Sequence, residues 1–547
     1  VGSSFYIGRK EYAMVTLLKN ARIYDGTGHN PYVGSILIEN DRIIRVEKEI
    51  SEAQAEQVIS LEGLSVSSGF IDAHSHNDWF AVKKNPLPYF EPFLRQGITT
   101  FVTGNCGLSA TGFEPDSAYV DKLGGGLFSF WETTDEYGTL EAFFNAIDHK
   151  NPCNIAALIG HCSVRAGLTG YSDRPLTAEE EEKMLAILEK GLKQGACGIS
   201  LGLMYEPGIY ADTAELKKVS NLCLKYNLPL TVHPRANSAV SMAYPEMIGR
   251  SHLLRAVDEL VEVAKGTNLK LQYSHAIFVG RRSFKDKDEL LTILHKLRKE
   301  GVDAGFDIYH EVTGVSVITV ILPAWYQAMD QVKRKKAVNK LKLWMLCNVS
   351  SKLLGFGFQD IEIAYIAKDC KQFEGKTIHQ IARERNETDL DTYLYLCEKS
   401  GFKGRVNMGP YSTSEIISEL SRDDHCLYMT DAWVEDEGVQ NPAIYDCFPK
   451  FLRASLLGNG DTMARTIRKM TGGVADRFLL KDRGYLKAGC FADITVFHEE
   501  KLKNAIPDQQ KAFGIEKVFI NGKLVLETGI INEALIKNAG HAVRGGL

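Results

Sequence analysis

No stretch of this 547-residue chain stays apolar for the roughly 18 residues that a membrane-spanning helix needs, so none is expected. Residues 1–13, VGSSFYIGRKEYA, have no apolar centre of the kind a secretory leader carries, and read as an N-terminal extension or tag ahead of Met14. Neither sign of charge dominates. With 64 Lys+Arg against 69 Asp+Glu, the formal net charge is -5, which gives no electrostatic reason to expect nucleic acid or a membrane as partner. Cysteine is present without a framework: 11 residues, an odd number at uneven spacing, which argues for free thiols and a cytoplasmic setting. Internal repeats and low-complexity tracts are absent, so solenoids and disordered arrays are excluded. At 44% hydrophobic and 24% charged residues, the composition is that of a globular protein with a large core, long enough for an enzyme.

Residues 14–66 read as short strands and turns. The same texture returns in ADITVF (492–497) and KVFINGKLV (517–525), where Asn521-Gly522 is a strong hairpin signal. Two half-sheets at opposite ends predict one small composite β-sandwich domain, 14–66 with 484–547. Between them eight apolar runs, at 64–73, 98–103, 154–159, 198–203, 229–232, 269–274, 302–309 and 427–430, alternate with amphipathic segments such as 177–194 and 287–299. That pattern predicts an α/β fold, a (β/α)8 TIM barrel over 67–332 and 422–483, which the strand-end residues described next make a metal-dependent one. Residues 333–421 are too many for a barrel loop and contain helical pieces at 377–384 and 390–399, so an inserted helical subdomain, placed as a lid, is expected.

Chemistry gathers at the strand ends. The first strand runs into His74-Ser75-His76 and the second into Gly104-Asn105-Cys106-Gly107, while His161, His233, His275 and Asp431 end the third, fifth, sixth and eighth. In a parallel barrel these ends share one rim, and alternate residues face one way, so His74 and His76 can grip one ion. A strand-end histidine alone is more often a hydrogen-bonded rim residue, a lone cysteine an inert thiol, and a lone aspartate a cap. Four histidines, a cysteine and an aspartate on five strand ends together make a metal-site inventory, and the donor mix favours one or two Zn2+ ions. Zinc lowers the pKa of bound water towards about 7, and an ionised Asp431 can take the proton and pass it to a leaving nitrogen. The expected reaction is metal-assisted hydrolysis of a C–N bond in a small-molecule amide, by a chain that is compatible with a homo-oligomer.

These motifs resemble the amidohydrolase superfamily, and within it the D-aminoacylase (N-acyl-D-amino-acid deacylase) family. The resemblance rests on GFIDAHSHND (69–78), GNCG (104–107), IGHCSVR (159–165), LGLMYEPGIYA (201–211), VHPR (232–235), YSHA (273–276), DIY (307–309), TDAW (430–433) and the tail from MTGGVADRF (470–478) to ADITVF. It implies a barrel with a composite β domain and an inserted small domain. It also implies that Cys106, His233 and His275 hold a tight zinc, that His74, His76 and Asp431 form a second position, and that Asp431 is the general acid/base. Most binuclear sites of the superfamily use a carboxylated lysine on the fourth strand; this branch uses a cysteine on the second, which Cys106 matches.

Three positions depart from the family pattern. Where a lysine usually follows the sixth-strand histidine by two, the chain has Ile277; where D-x-Y-P-Y is usual, Glu311 stands at the second tyrosine, after Tyr309; and the usual H-P-R arginine becomes Ala443. The substrate implied is an amide without the ordinary free α-carboxylate, with Glu311 a polar or cationic contact unless it pairs with Arg281 or Arg282. Arg165 and Arg235 stand as alternative carboxylate partners, His161 as a hydrogen-bonding neighbour of the site, and Tyr205 as pocket lining. Rival readings are an N-acyl-D-amino-acid deacylase proper, a cyclic-amide hydrolase or deaminase on the same scaffold, and a non-catalytic relative. The run 198–203 lacks the lysine that ring-openers use.

Overall fold

The structure, a computed structural model, describes residues 14–113, 138–241, 243–244, 249–327, 329–507 and 511–546. The expected extension at 1–13 and the Gly124-Gly125-Gly126 run lie outside the described residues.

Eight parallel strands form the barrel: Phe70–Asp72, Ile98–Thr103, Asn154–Ala157 continued by Ile159–Gly160, Ile199–Gly202, Leu230–His233, Lys270–Tyr273, Asp303–Ile308 and Cys426–Tyr428. Each pairs with the next in chain order. The ring closes where Ala73 N donates to the Tyr428 carbonyl (3.3 Å) and Asp431 N to the His74 carbonyl (3.1 Å). The strands read as continuous apolar runs because almost every residue is buried, inward against the barrel interior or outward against helices. Helix Ala178–Lys193 shows how those helices are specified. Thr177 and Glu180 form a capping box at its start, and Met184, Leu188 and Leu192, one turn apart, form its buried stripe.

The two chain ends meet in one nine-stranded sheet, joined where Ser65–Ser68 runs antiparallel to Ile494–Phe497. Asn521 (φ 46) and Gly522 (φ 77) both take the left-handed conformation that a two-residue hairpin demands. The last strand departs from the expected boundary. Ala542–Val543 pairs in parallel with Asn154–Ala157 of the barrel instead of joining the terminal sheet.

The insert also differs from the helical reading. Gly314–Val317, Arg405–Met408 and Ile361–Tyr365 build a three-stranded antiparallel sheet, so the subdomain begins upstream of residue 333 and is part β. It has its own core around Ile363, Ile381, Tyr393, Leu396 and Val406. All eleven cysteines are free. No helix among the described residues is long and apolar enough to cross a membrane.

A buried ion pair fastens the terminal sheet to the barrel. Arg483 and Asp493 pair; Asp493 also accepts from Asn154 Nδ2 (3.1 Å) and Asn521 N (2.9 Å), and Arg483 Nη2 donates to Asn521 Oδ1 (3.0 Å). Removing one partner strands the other charge. Asp493→Ala should therefore cost about 3–5 kcal/mol of stability, read as a lower denaturant midpoint, whereas an unchanged midpoint would show the pair to be dispensable.

Candidate metal and active site

Every residue of the expected inventory sits at the C-terminal mouth of the barrel, where the strands run out. His74 and His76 follow the first strand, Cys106 the second and His275 the sixth; His233 is the last residue of the fifth, and Asp431 lies just past the eighth. Cys106 (φ 54), His275 (φ 35) and Asp431 (φ 48) adopt left-handed backbone, a strain of about 1–3 kcal/mol each that surrounding structure must impose. For Cys106 the imposing neighbour is the fourth strand: a Cβ on Gly202 would lie 1.9 Å from the Cys106 carbonyl oxygen, so only glycine lets the two backbones approach.

The side chains converge. Cys106 Sγ lies 3.3 Å from His74 Nε2, 3.4 Å from His233 Nδ1 and 3.6 Å from His275 Nε2. Asp431 Oδ1 lies 3.5 Å from both His74 Nε2 and His76 Nε2. Two overlapping donor groups result, His74–Cys106–His275 and His74–His76–Asp431, with His74 common to both. A tetrahedral zinc with Zn–S near 2.3 Å and Zn–N near 2.0–2.1 Å sets its sulfur and nitrogen ligands about 3.5 Å apart, which is the separation found here. The donor set therefore fits a zinc ion, and the sharing of His74 fits two adjacent positions.

The charges fit as well. Burial alone would push the Cys106 thiol up, but the His74 and His233 rings and hydrogen bonds from His233 and His275 hold it well below the usual range. Burial likewise opposes ionisation of Asp431, and His74, His76 and His275 override it, bringing the carboxyl to about 2. Against burial, the Asp431 hydrogen bond and Cys106 push His76 up to about 9, while burial and the neighbouring His275 lower His233 to about 4. With 21% of its side chain exposed, Asp431 opens to solvent, whereas His74, His76, Cys106, His233 and His275 are buried.

Buried polar groups orient this set. Asp307 Oδ1 accepts the His275 amide (2.6 Å) and lies 3.5 Å from His74 Nδ1, and Asn237 Nδ2 approaches His233 Nε2 (3.4 Å). Asp72 takes the Thr430 amide (3.0 Å), the Thr430 hydroxyl and the His74 amide (3.2 Å), tying the first strand to the eighth. Burial raises the Asp72 carboxyl to about 7 despite those donors.

The expected substrate contacts divide. The Tyr205 ring lies 4.6 Å from the His233 ring, tilted 59° to it, and Tyr309 is buried beside the cluster. Tyr411, which the sequence reading passed over, joins them: burial and the Asp431 charge hold all three phenols protonated. His161 and Arg165 are committed elsewhere. Both bind Glu215, His161 Nε2 at 2.7 Å and Arg165 Nη1 at 2.5 Å, so Arg165 is a fully buried structural cation and not an open carboxylate partner. Arg235 is similarly spent on Glu259 (2.9 Å) and the Ile209 and Ala211 carbonyls. Glu311 pairs with neither expected arginine. Its partner is Lys450 (2.6 Å), which also holds Asp446 (2.9 Å), while Arg281 pairs with Asp360.

No family model matches the chain. A D-aminoacylase of Alcaligenes xylosoxydans xylosoxydans is 25% identical over 513 residues, covering 92% of this chain and 93% of the relative. The crystal structure of a D-aminoacylase described as defining a novel subset of amidohydrolases superposes with a TM-score of 0.77 at 23% identity, over 97% of this chain and 99% of that one. The N-acyl-D-glutamate deacylase of Bordetella bronchiseptica, solved with zinc and a phosphonate inhibitor, gives 0.78 at 22% identity, over 98% and 100%.

Asp307→Asn keeps the volume and one acceptor but removes the charge facing His74. Zn2+ affinity, measured by chelator competition, should fall about 10–100-fold; an unaltered affinity would leave Asp307 a fold residue only.

Proposed function

We propose that the chain is a member of the D-aminoacylase family of the amidohydrolase superfamily, which the likeness to D-aminoacylases over most of its length supports, and that it is a zinc-dependent hydrolase of a non-peptide C–N bond, cleaving an acyl amide whose amine part bears no free α-carboxylate. The observation that carries the catalytic half is the Cys106 sulfur lying 3.3–3.6 Å from three imidazole nitrogens, beside a carboxylate 3.5 Å from two. Cys106, His233 and His275, with His74, His76 and Asp431, would hold the metal. When bound, zinc polarises the scissile carbonyl and lowers the pKa of water at neutral pH.

The chain's own residues do the rest. Asp431, ionised and open to solvent, takes a proton from the attacking water and returns it to the departing nitrogen. Tyr205, Tyr309 and Tyr411, kept protonated, supply O–H donors to substrate oxygens.

The substrate half rests on charge. Ile277 and Ala443 offer no cation, and Arg165, Arg235 and Lys450 are already neutralised by Glu215, Glu259, Glu311 and Asp446. A substrate carboxylate would have to break one of these pairs or sit unpaired, at several kcal/mol. The Glu311–Lys450–Asp446 trio sets two acids against one cation, which favours a neutral or amine-bearing leaving group.

Two experiments test this reading. Chelation should abolish amide hydrolysis and added Zn2+ restore it, while Asp431→Asn lowers kcat by about 10²–10⁴-fold; a chelated chain with full activity would end the metal reading. N-acetyl-D-amino acid amides should be hydrolysed with a kcat/KM at least about 10²-fold above the free acids, and preferred turnover of the acids would assign the chain to the N-acyl-D-amino-acid deacylases proper.

A further inference from the structure

The mildly acidic whole-chain balance hides a strongly basic surface on the insert. From Gln331 to Gln359 the sequence has seven Lys or Arg (Lys333, Arg334, Lys335, Lys336, Lys340, Lys342, Lys352) and no Asp or Glu. Helix Ala337–Leu354 spans most of this stretch. Its inward side is anchored by Leu343, fully buried in the insert core. Its outward side leaves large apolar side chains open to solvent among Lys342, Asn348 and Lys352: Val338 is 68% exposed, Leu341 56%, Trp344 52%, with Met345 and Val349 close behind. Val338, Leu341, Met345 and Val349 follow one another by three or four residues, so they form a single stripe along the helix, with Trp344 at its edge. Val332, in the short helix Gln331–Arg334 that precedes it, is 74% exposed.

The cations frame the stripe. Lys335 and Lys336 are exposed at the N-terminal end, and Lys352 is exposed near the C-terminal end. Lys340 pairs with Asp391, Lys333 with Asp330 (3.3 Å), and Lys342 sits over the Trp325 ring (4.5 Å). Large apolar side chains and a tryptophan open to solvent, set among lysines with no acid beside them, on a helix not apolar enough to cross a bilayer, complement an anionic membrane surface in charge and in its apolar boundary. A second copy is a poor occupant, because two-fold pairing of this face would oppose like charges along its length.

We propose that the helix Ala337–Leu354 is a docking element for anionic phospholipid bilayers, burying Val338, Leu341, Trp344, Met345 and Val349 at the headgroup boundary and using Lys335, Lys336 and Lys352 for the lipid phosphates and carboxylates. The helix ends against the loop that leaves the sixth barrel strand: Arg281 Nη1 donates to the Gly355 carbonyl (2.9 Å). Docking thus anchors the insert, and through it that side of the barrel mouth, to the membrane surface.

The full chain would be sedimented with vesicles of phosphatidylcholine alone or of three parts phosphatidylcholine to one of phosphatidylserine. Binding only to the anionic vesicles is expected. It should weaken about tenfold or more in L341D and in the double variant K335E/K336E, and fall with added salt. Acyl-brominated lipids should quench fluorescence that W344F lacks. Far-UV circular dichroism and thermal melting check that each variant is folded. No binding to anionic vesicles, equal binding by the folded variants, or a dimer in sedimentation that L341D dissociates without any vesicle binding would overturn the proposal, the last in favour of self-association.

Discussion

A sulfur that carries charge at 2% exposure survives burial only because imidazoles answer it from several sides, and this balance at Cys106 is what the rest of the mouth is arranged around. The three histidines come from strands far apart in sequence, so only a closed barrel can deliver them together. Cys106 in turn sits in left-handed backbone, which Gly202 on the fourth strand makes room for. Strain at Cys106, His275 and Asp431 is thus concentrated where the donors meet, and the uniformly buried strands beneath them hold it in place.

The bonds that complete the ring also aim the site. Asp72 links the first strand to Thr430 at the end of the eighth while accepting the His74 amide, so a barrel that failed to close would lose the His74 orientation too. Asp307 does the same between the seventh strand and the sixth, through the His275 amide and the His74 ring. At the opposite side of the molecule, the Arg483–Asp493 pair with Asn154 and Asn521 couples the terminal sheet to the third strand. Fold closure and site geometry therefore share the same few buried polar groups.

How much of this could be read from the sequence follows from the range of the interactions. The barrel was legible because its strands are buried on both faces and announce themselves as apolar runs, and the donor residues because they terminate those runs. The Asn521-Gly522 hairpin was legible because its signal is local. What escaped is long-range or short. Lys450, 139 residues after Glu311, and Glu215, 50 after Arg165, carry no mark in sequence that they neutralise a buried partner. Tyr411 reaches the mouth from the far end of the insert, and the insert's strands of four or five residues are too short to show alternation against the helices around them.

The distribution of positive charge joins these features. Around the mouth, Arg165, Arg235 and Lys450 are each neutralised by an internal carboxylate, so the cavity offers no spare cation from these positions to hold an acid. On the insert the arrangement is opposite, with cations massed over 29 residues that contain no acid, bordering an apolar stripe open to solvent. A chain whose net charge is only -5 can therefore carry internally neutralised cations near its barrel mouth and a basic helix on its insert, because averaging over the sequence cancels what the fold separates. The charge at the mouth is thus set by pairs buried with their partners, and that of the insert helix by a run of cations on its surface with no acid among them in sequence.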